Sequence, residues 1–154
     1  MTTRTSEATW QGSLKDGAGQ LRLGSGIFEG AYSFPSRFEN GPGTNPEELI
    51  AAAHAACFSM ALTSLLGRDG LTPSRIHTIA HVNIALTEAG ITLTRIDLVT
   101  EGDVPGLDAG DFQRYAEAAK ASCLVSRALA AVSSITLAAT LTSGAGTVSA
   151  FAVR

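Results

Sequence analysis

Residues 45–70, NPEELIAAAHAACFSMALTSLLGRDG, read as one long helix with a single cysteine near its middle, and the rest of the chain reads as built around it. Pro46 suits the first helical position, where its fixed φ helps and its missing N–H costs nothing. That makes Asn45 the N-cap and Glu48 the third-position carboxylate of a capping box. From Leu49 to Leu66 only His54, Ser59, Thr63 and Ser64 are polar, so the helix is apolar around most of its circumference and is predicted to be buried. Ala51, Ala52, Ala53, Ala55 and Ala56 leave little side-chain bulk around one turn, which lets a second helix or a sheet come close to its backbone. Gly67, Gly70 and Pro73 supply the stop signals.

Composition bounds what such a core can belong to. With 154 residues, 45% of them hydrophobic and 16% charged, the chain has material for one real core and a slight apolar excess that suggests surface buried in an oligomer. A net charge of -3 offers no basic stripe for nucleic acid and no polybasic segment for an anionic membrane. The N-terminal MTTRTSEATW lacks the apolar core of a signal peptide, and the long helix, interrupted by His54 and bounded by charges, is expected to fall short of a membrane span. The expectation is a soluble, cytoplasmic protein. Cys57 and Cys123 are far apart, without a CxxC or histidines at ligand spacing, so neither a disulfide scaffold nor a zinc site is signalled.

Around the helix, residues 8–35 alternate in short runs broken by glycine and predict a β-meander. RFENGPGT, residues 37–44, reads as a turn-rich loop leading to the helix start, long enough for Arg37 to fold back. IHTIAHVNIALTE and ITLTRIDLVTEGDV are β-branched runs joined at Ala89-Gly90, a long hairpin. Residues 106–129 show an Asp108 cap and helical spacing through Phe112, Tyr115, Ala119 and Cys123, with Ser122 marking where this second helix would break. SSITLAATLT, residues 133–142, predicts a last strand. Residues 1–142 therefore read as one domain, followed by a small-residue tail at 143–154.

Each cysteine falls on a predicted helix, where a lone thiol is ordinarily a small buried hydrophobe. Chemistry at Cys57 requires a thiolate, and the helix dipole does not supply one about three turns in. His54 is three residues away and could pair with Cys57 as in thiol hydrolases, although a lone histidine on an apolar helix is more often a core residue. Arg37 carries a permanent charge and a fork that can engage a carboxylate. Glu47 and Glu48 in a first helical turn ordinarily complement the dipole. A carboxylate set against Cys57 would raise its pKa, so a functional Glu47 is expected to orient Arg37 instead.

NPEELIAAAHAACFSMAL, the preceding SRFENGPGT and the later AKASCLVS resemble the characteristic segments of the OsmC and Ohr family of thiol-dependent hydroperoxide reductases, with HAAC closer to the OsmC branch. The likeness runs in order over roughly residues 8–142. It implies an α+β fold, an intertwined homodimer with two central helices flanked by antiparallel sheets, and reduction of organic hydroperoxides. It matches Cys57 to the peroxidatic thiol, Cys123 to the resolving thiol, and Arg37 and Glu47 to the activating pair. The family usually carries Cys-Pro at the second cysteine. Here Leu124 follows Cys123, and without a proline to bend the helix, slower presentation of the resolving thiol is expected.

The resulting expectation is a peroxidase: the Cys57 thiolate, stabilised by Arg37, takes the outer oxygen of a hydroperoxide, the sulfenic acid condenses with Cys123, and an external dithiol, by resemblance of dihydrolipoyl type, reopens the disulfide. No metal or organic cofactor is called for. Phe34, Phe38, Phe58, Met60 and Leu124 are candidates for an apolar pocket wall, or simply core. The rival is a non-enzymatic dimer that binds a small apolar molecule and keeps both thiols inert. A strongly depressed Cys57 pKa would mark the enzyme and an ordinary or raised one the binder. Glu47 and Cys57 are ten residues apart on one helix, about 15 Å at the usual rise, which predicts that the carboxylate of one chain serves the thiol of the other.

Overall fold

The computed structural model describes residues 1–142; the tail at 143–154 lies outside them. The chain divides into two compact units, Met1–Ile50 and the part from Ala51 onward.

In the first unit, β1 (Ser6–Gln11), β2 (Ala18–Leu23) and β3 (Glu29–Ser33) form the expected antiparallel meander in chain order. Its register sets Trp10 and Tyr32 on either side of Gly19. A Cβ on Gly19 would come within 2.3 Å of the Tyr32 ring, so the glycine makes room for that ring, which packs 5.4 Å from Trp10 between centroids. Where the meander was expected to pass into the loop at 37–44, the chain instead forms a one-turn helix, α1 (Phe34–Phe38), which takes in Arg37 and Phe38 of that loop. Ser33 caps it by accepting from the Ser36 N–H, while the Ser36 hydroxyl accepts from the Ser33 N–H. Arg37 thus occupies the last turn of a capped helix.

The long helix is α2 (Pro46–Arg68). Asn45 caps it as expected, its side-chain oxygen accepting from the Glu48 N–H at 2.8 Å. The capping box is not completed: the Glu48 carboxylate instead accepts from the Thr44 hydroxyl at 2.7 Å. Burial is also narrower than expected. His54, Phe58, Leu62 and Leu66, spaced by four, are buried in a single stripe, while Ala53, Ala56 and Met60 on another face are exposed. Contrary to the sequence expectation, α2 is long and apolar enough by length and composition to cross a membrane. The His54 to Leu66 stripe shows what its apolar residues do here, which is to build a protein core.

In the second unit, β4 (Arg75–Thr87) and β5 (Gly90–Asp103) form the expected hairpin, with one extra residue, Thr94, where the register shifts between Asn83 and Ile84. β6 (Ile135–Leu141) pairs with β5 in parallel, so this sheet, in the order β4-β5-β6, is mixed rather than wholly antiparallel. Parallel neighbours need a crossover, which α3 (Ala109–Ser122) and α4 (Leu124–Ala128) provide. The core gathers Phe58, Leu62 and Leu66 of α2 with Leu98 of β5, Val104, and Phe112, Ala116 and Ala119 of α3; Cys123 belongs to it. Each fully buried large side chain here contributes about 1.5–3 kcal/mol of apolar transfer.

Candidate active site

In the first unit, Arg37 meets Glu47. The Ser36 hydroxyl donates to the Thr44 carbonyl at 2.8 Å and the Asn45 amide donates to the Ser36 carbonyl at 3.1 Å, which clasps α1 to the start of α2. Gly43 sits within this clasp at φ +113, with the Ala31 carbonyl where a Cβ would go, so no other residue fits easily. Across the clasp, Arg37 Nη2 donates to Glu47 Oε1 at 2.7 Å and Nε reaches both carboxylate oxygens at 3.2 Å. The guanidinium also lies 5.0 Å from the centre of the Phe38 ring. The pairing expected of Glu47 is present, and it holds the arginine in one orientation.

In the second unit, the two cysteines come together. α3 ends at Ser122; Cys123 takes φ -56 and ψ 125, and the chain re-enters helix at Leu124. The break expected to need a proline therefore forms without one, since the extended ψ at Cys123 alone ends the helical ladder. The first intrahelical bond of α4 runs from the Arg127 N–H to the Cys123 carbonyl, which leaves the N–H groups of Leu124, Val125 and Ser126 without helical partners. They act on the sulfurs electrostatically: those of Leu124 and Val125 favour a Cys57 thiolate, and those of Val125 and Ser126 a Cys123 thiolate.

Both thiols are free, Cys57 packs against the core cluster that contains Cys123, and each perturbs the other's titration. Burial pushes the Cys57 thiol above its ordinary pKa, as does its bond to Cys123, and the Val125 and Leu124 N–H groups do not overcome this. Burial raises Cys123 as well, but the Ser126 N–H, the Cys57 thiol, the Ser126 hydroxyl and the Val125 N–H outweigh it and bring Cys123 below its ordinary value. Within this chain, then, the groups around the pair raise the Cys57 thiol and lower that of Cys123. The depressed pKa expected for an enzymatic Cys57 is not produced by these groups, because they are amides and a thiol and none is a cation.

His54 is a core residue, as its surroundings suggested, and it does not pair with Cys57. Its Nε2 lies 2.7 Å from the Ser126 hydroxyl, and Nδ1 has no partner. With no acid orienting the imidazole, a Cys-His hydrolase has no basis. Ser126 was not singled out in the sequence; its position three residues after Cys123 was the available signal. Of the proposed wall, Phe58 is wholly buried in the core, Phe34 stacks on Phe38 at 4.9 Å within the first unit, and Met60 and Leu124 are exposed.

This chain matches the model of the OsmC-like protein family over residues 39–138. It is 48% identical over 126 residues to peroxiredoxin OsmC of Escherichia coli K12, covering 81% of this chain and 88% of that one. It is 34% identical over 89 residues to the organic hydroperoxide resistance protein of Xanthomonas axonopodis pv. citri, covering 57% of this chain and 61% of the relative. Among solved structures, the organic hydroperoxide resistance protein OhrB of Bacillus subtilis shares the fold with a TM-score of 0.68 at 24% identity, over 90% of this chain and 98% of that one. The chain belongs to the OsmC-like family and is a cysteine-based peroxidase.

Proposed function

We propose that the protein reduces organic hydroperoxides to alcohols at Cys57, with Cys123 as the resolving thiol. The Cys57 thiolate attacks the outer peroxide oxygen, the O–O bond breaks, alcohol leaves, and Cys57 becomes a sulfenic acid. Cys123 displaces the hydroxyl to give an intrachain disulfide and water. An external dithiol of dihydrolipoyl type attacks that disulfide and returns both thiols. The scheme draws on no metal or organic cofactor and suits a reducing, cytoplasmic compartment. The observation that carries it is the gathering of two free thiols, Cys57 on α2 and Cys123 at the break between α3 and α4, in one packed cluster where each perturbs the other.

The cation that Cys57 lacks within its own unit is proposed to come from a second copy of the chain. The exposed, small-residue face of α2 at Ala53 and Ala56, with Met60 beside it, supports a two-fold dimer in which two α2 helices run antiparallel. That arrangement carries the Arg37–Glu47 pair of one copy to Cys57 of the other, where the guanidinium lowers the thiol pKa and Glu47 keeps it oriented.

The test is consumption of cumene hydroperoxide with dihydrolipoamide as reductant. Wild type should turn over, Cys57→Ser should consume none, and Cys123→Ser should stop after one equivalent. Peroxide consumption that survives Cys57→Ser would overturn the assignment, and inert thiols in wild type would favour a binding dimer.

A further inference from the structure

One cationic cleft has no part in the reaction above. On α3 each cation has its own carboxylate one turn back, Arg114 with Asp111 and Lys120 with Glu117. On α4 the residue one turn back from Arg127 is Leu124, and among the described residues the guanidinium has no ion pair or hydrogen bond. Arg127 and Lys120 flank a cleft of about 350 Å³ walled by Ala121, Val132 and Ile135, and no acidic side chain lines it. The size is that of a small recognition pocket. In a chain of net charge -3 it is a local patch of the opposite sign.

The helix break fixes where this cleft lies. The Cys123 N–H donates to the Ala119 carbonyl at 2.8 Å and the Arg127 N–H to the Cys123 carbonyl at 3.0 Å, so Lys120 and Arg127 stand about one turn to either side of Cys123. Leu124, the residue after Cys123, is 71% exposed and shares a face of α4 with Arg127. Arginine beside uncovered apolar side chains is the composition enriched at docking surfaces.

We propose that this cleft docks the reductant, and that the reductant is a protein segment whose carboxylate side chains flank a dithiol carried on an apolar arm. The inference deepens the proposed function and rests on its external dithiol. The carboxylates seat against Arg127 and Lys120, and the arm passes over Leu124 toward the disulfide at the adjoining residue. A thiolate of the arm attacks one sulfur of the Cys57–Cys123 bond, which breaks and releases the other sulfur as a thiolate. The second thiol of the arm then displaces the bound cysteine and closes the arm's own disulfide. Two electrons and two protons pass from the arm to the cysteine pair, and nothing further enters.

Two synthetic peptides test this, each bearing a dihydrolipoyl-lysine, one with glutamates around it and the other with glutamines. The full-length protein, oxidised with one equivalent of cumene hydroperoxide, is mixed with each peptide, quenched by alkylation and weighed to follow the reopened disulfide. The glutamate peptide should react with wild type about tenfold faster in second-order rate constant at low ionic strength, the lower end of electrostatic steering, and salt should erase the difference. The ratio of the two rates is the readout, so a general loss of reactivity cancels. Lys120→Gln with Arg127→Gln should bring it close to one, and Lys120→Glu with Arg127→Glu should invert it. Equal rates in wild type, or a preference that survives both double variants, would overturn the proposal. So would a dimer that dissociates in the glutamine variant on sedimentation, because a second copy would then occupy the cleft. A disulfide that forms but is reopened by neither peptide nor dihydrolipoamide would remove the external dithiol of the proposed function, and this docking site with it.

Discussion

Arg37 and Glu47 face each other as fork and carboxylate, with Nη2 2.7 Å from Oε1 and Nε 3.2 Å from both oxygens. Lysine keeps the charge but cannot reproduce this geometry. Arg37→Lys is expected to lower kcat/KM for cumene hydroperoxide by about tenfold to a hundredfold, and Arg37→Ala by more, on the scale of losing an oriented donor. Glu47→Gln should cost less than Arg37→Lys, since it loosens the arginine without removing it. Steady-state kinetics with each variant check this; wild-type rates in Arg37→Lys would remove the fork from the mechanism.

If Arg37 serves the cysteine of a second copy, two inactive chains should complement each other. Cys57→Ser and Arg37→Ala chains, unfolded and refolded together, would form mixed dimers with one intact site, built from the cysteine of one and the arginine of the other. Recovered activity in the mixture but in neither parent is the expected outcome. No recovery in verified mixed dimers would show that Arg37 acts within its own chain.

Much of this arrangement was legible because it is written locally. Asn45-Pro46 and Asp108 mark helix starts by cap chemistry that neighbouring residues complete, and the β-branched runs about Gly90 announce their hairpin. What escaped depends on distant partners or on competing local signals. The helix at Phe34–Phe38 was hidden because it is a single turn with a proline inside it, and its cap relies on a Ser33–Ser36 pair rather than a carboxylate. The parallel alignment of β6 is set by the crossover through α3 and α4, which no residue of the strand encodes. Ser126 and His54 are 72 positions apart, and no periodicity joins them.

Leu124 offers a different test. Cys123 already has the extended ψ that precedes a proline, and Leu124 stands first in α4, so Leu124→Pro should fold. It deletes one of the two backbone N–H groups that lower the Cys57 pKa. A donor to sulfur favours the thiolate, so its loss should move the alkylation midpoint of Cys57 to higher pH. Iodoacetamide rates across pH in a Cys123→Ser background, where Cys57 titrates alone, measure the shift. A midpoint that stays or falls would show that the Leu124 N–H does not act on Cys57.

Gly102 lies beneath the Phe112 ring, where an added Cβ would come within 2.3 Å of it. Phe112 is fully buried and cannot swing aside. Gly102→Ala should destabilise the fold by about 1–3 kcal/mol, the usual range for overpacking, read as a lower urea midpoint with unchanged slope. A midpoint equal to wild type would mean that the ring relocates freely.

The central claim is that Cys57 and Cys123 form one redox unit, and mass analysis of the reduced protein after one equivalent of cumene hydroperoxide tests it most directly. The account predicts an intact mass lower by two hydrogens and, on non-reducing digestion, a peptide pair joining Cys57 to Cys123 in the same chain. Two thiols that both remain open to alkylation, with the peroxide unconsumed, would contradict it.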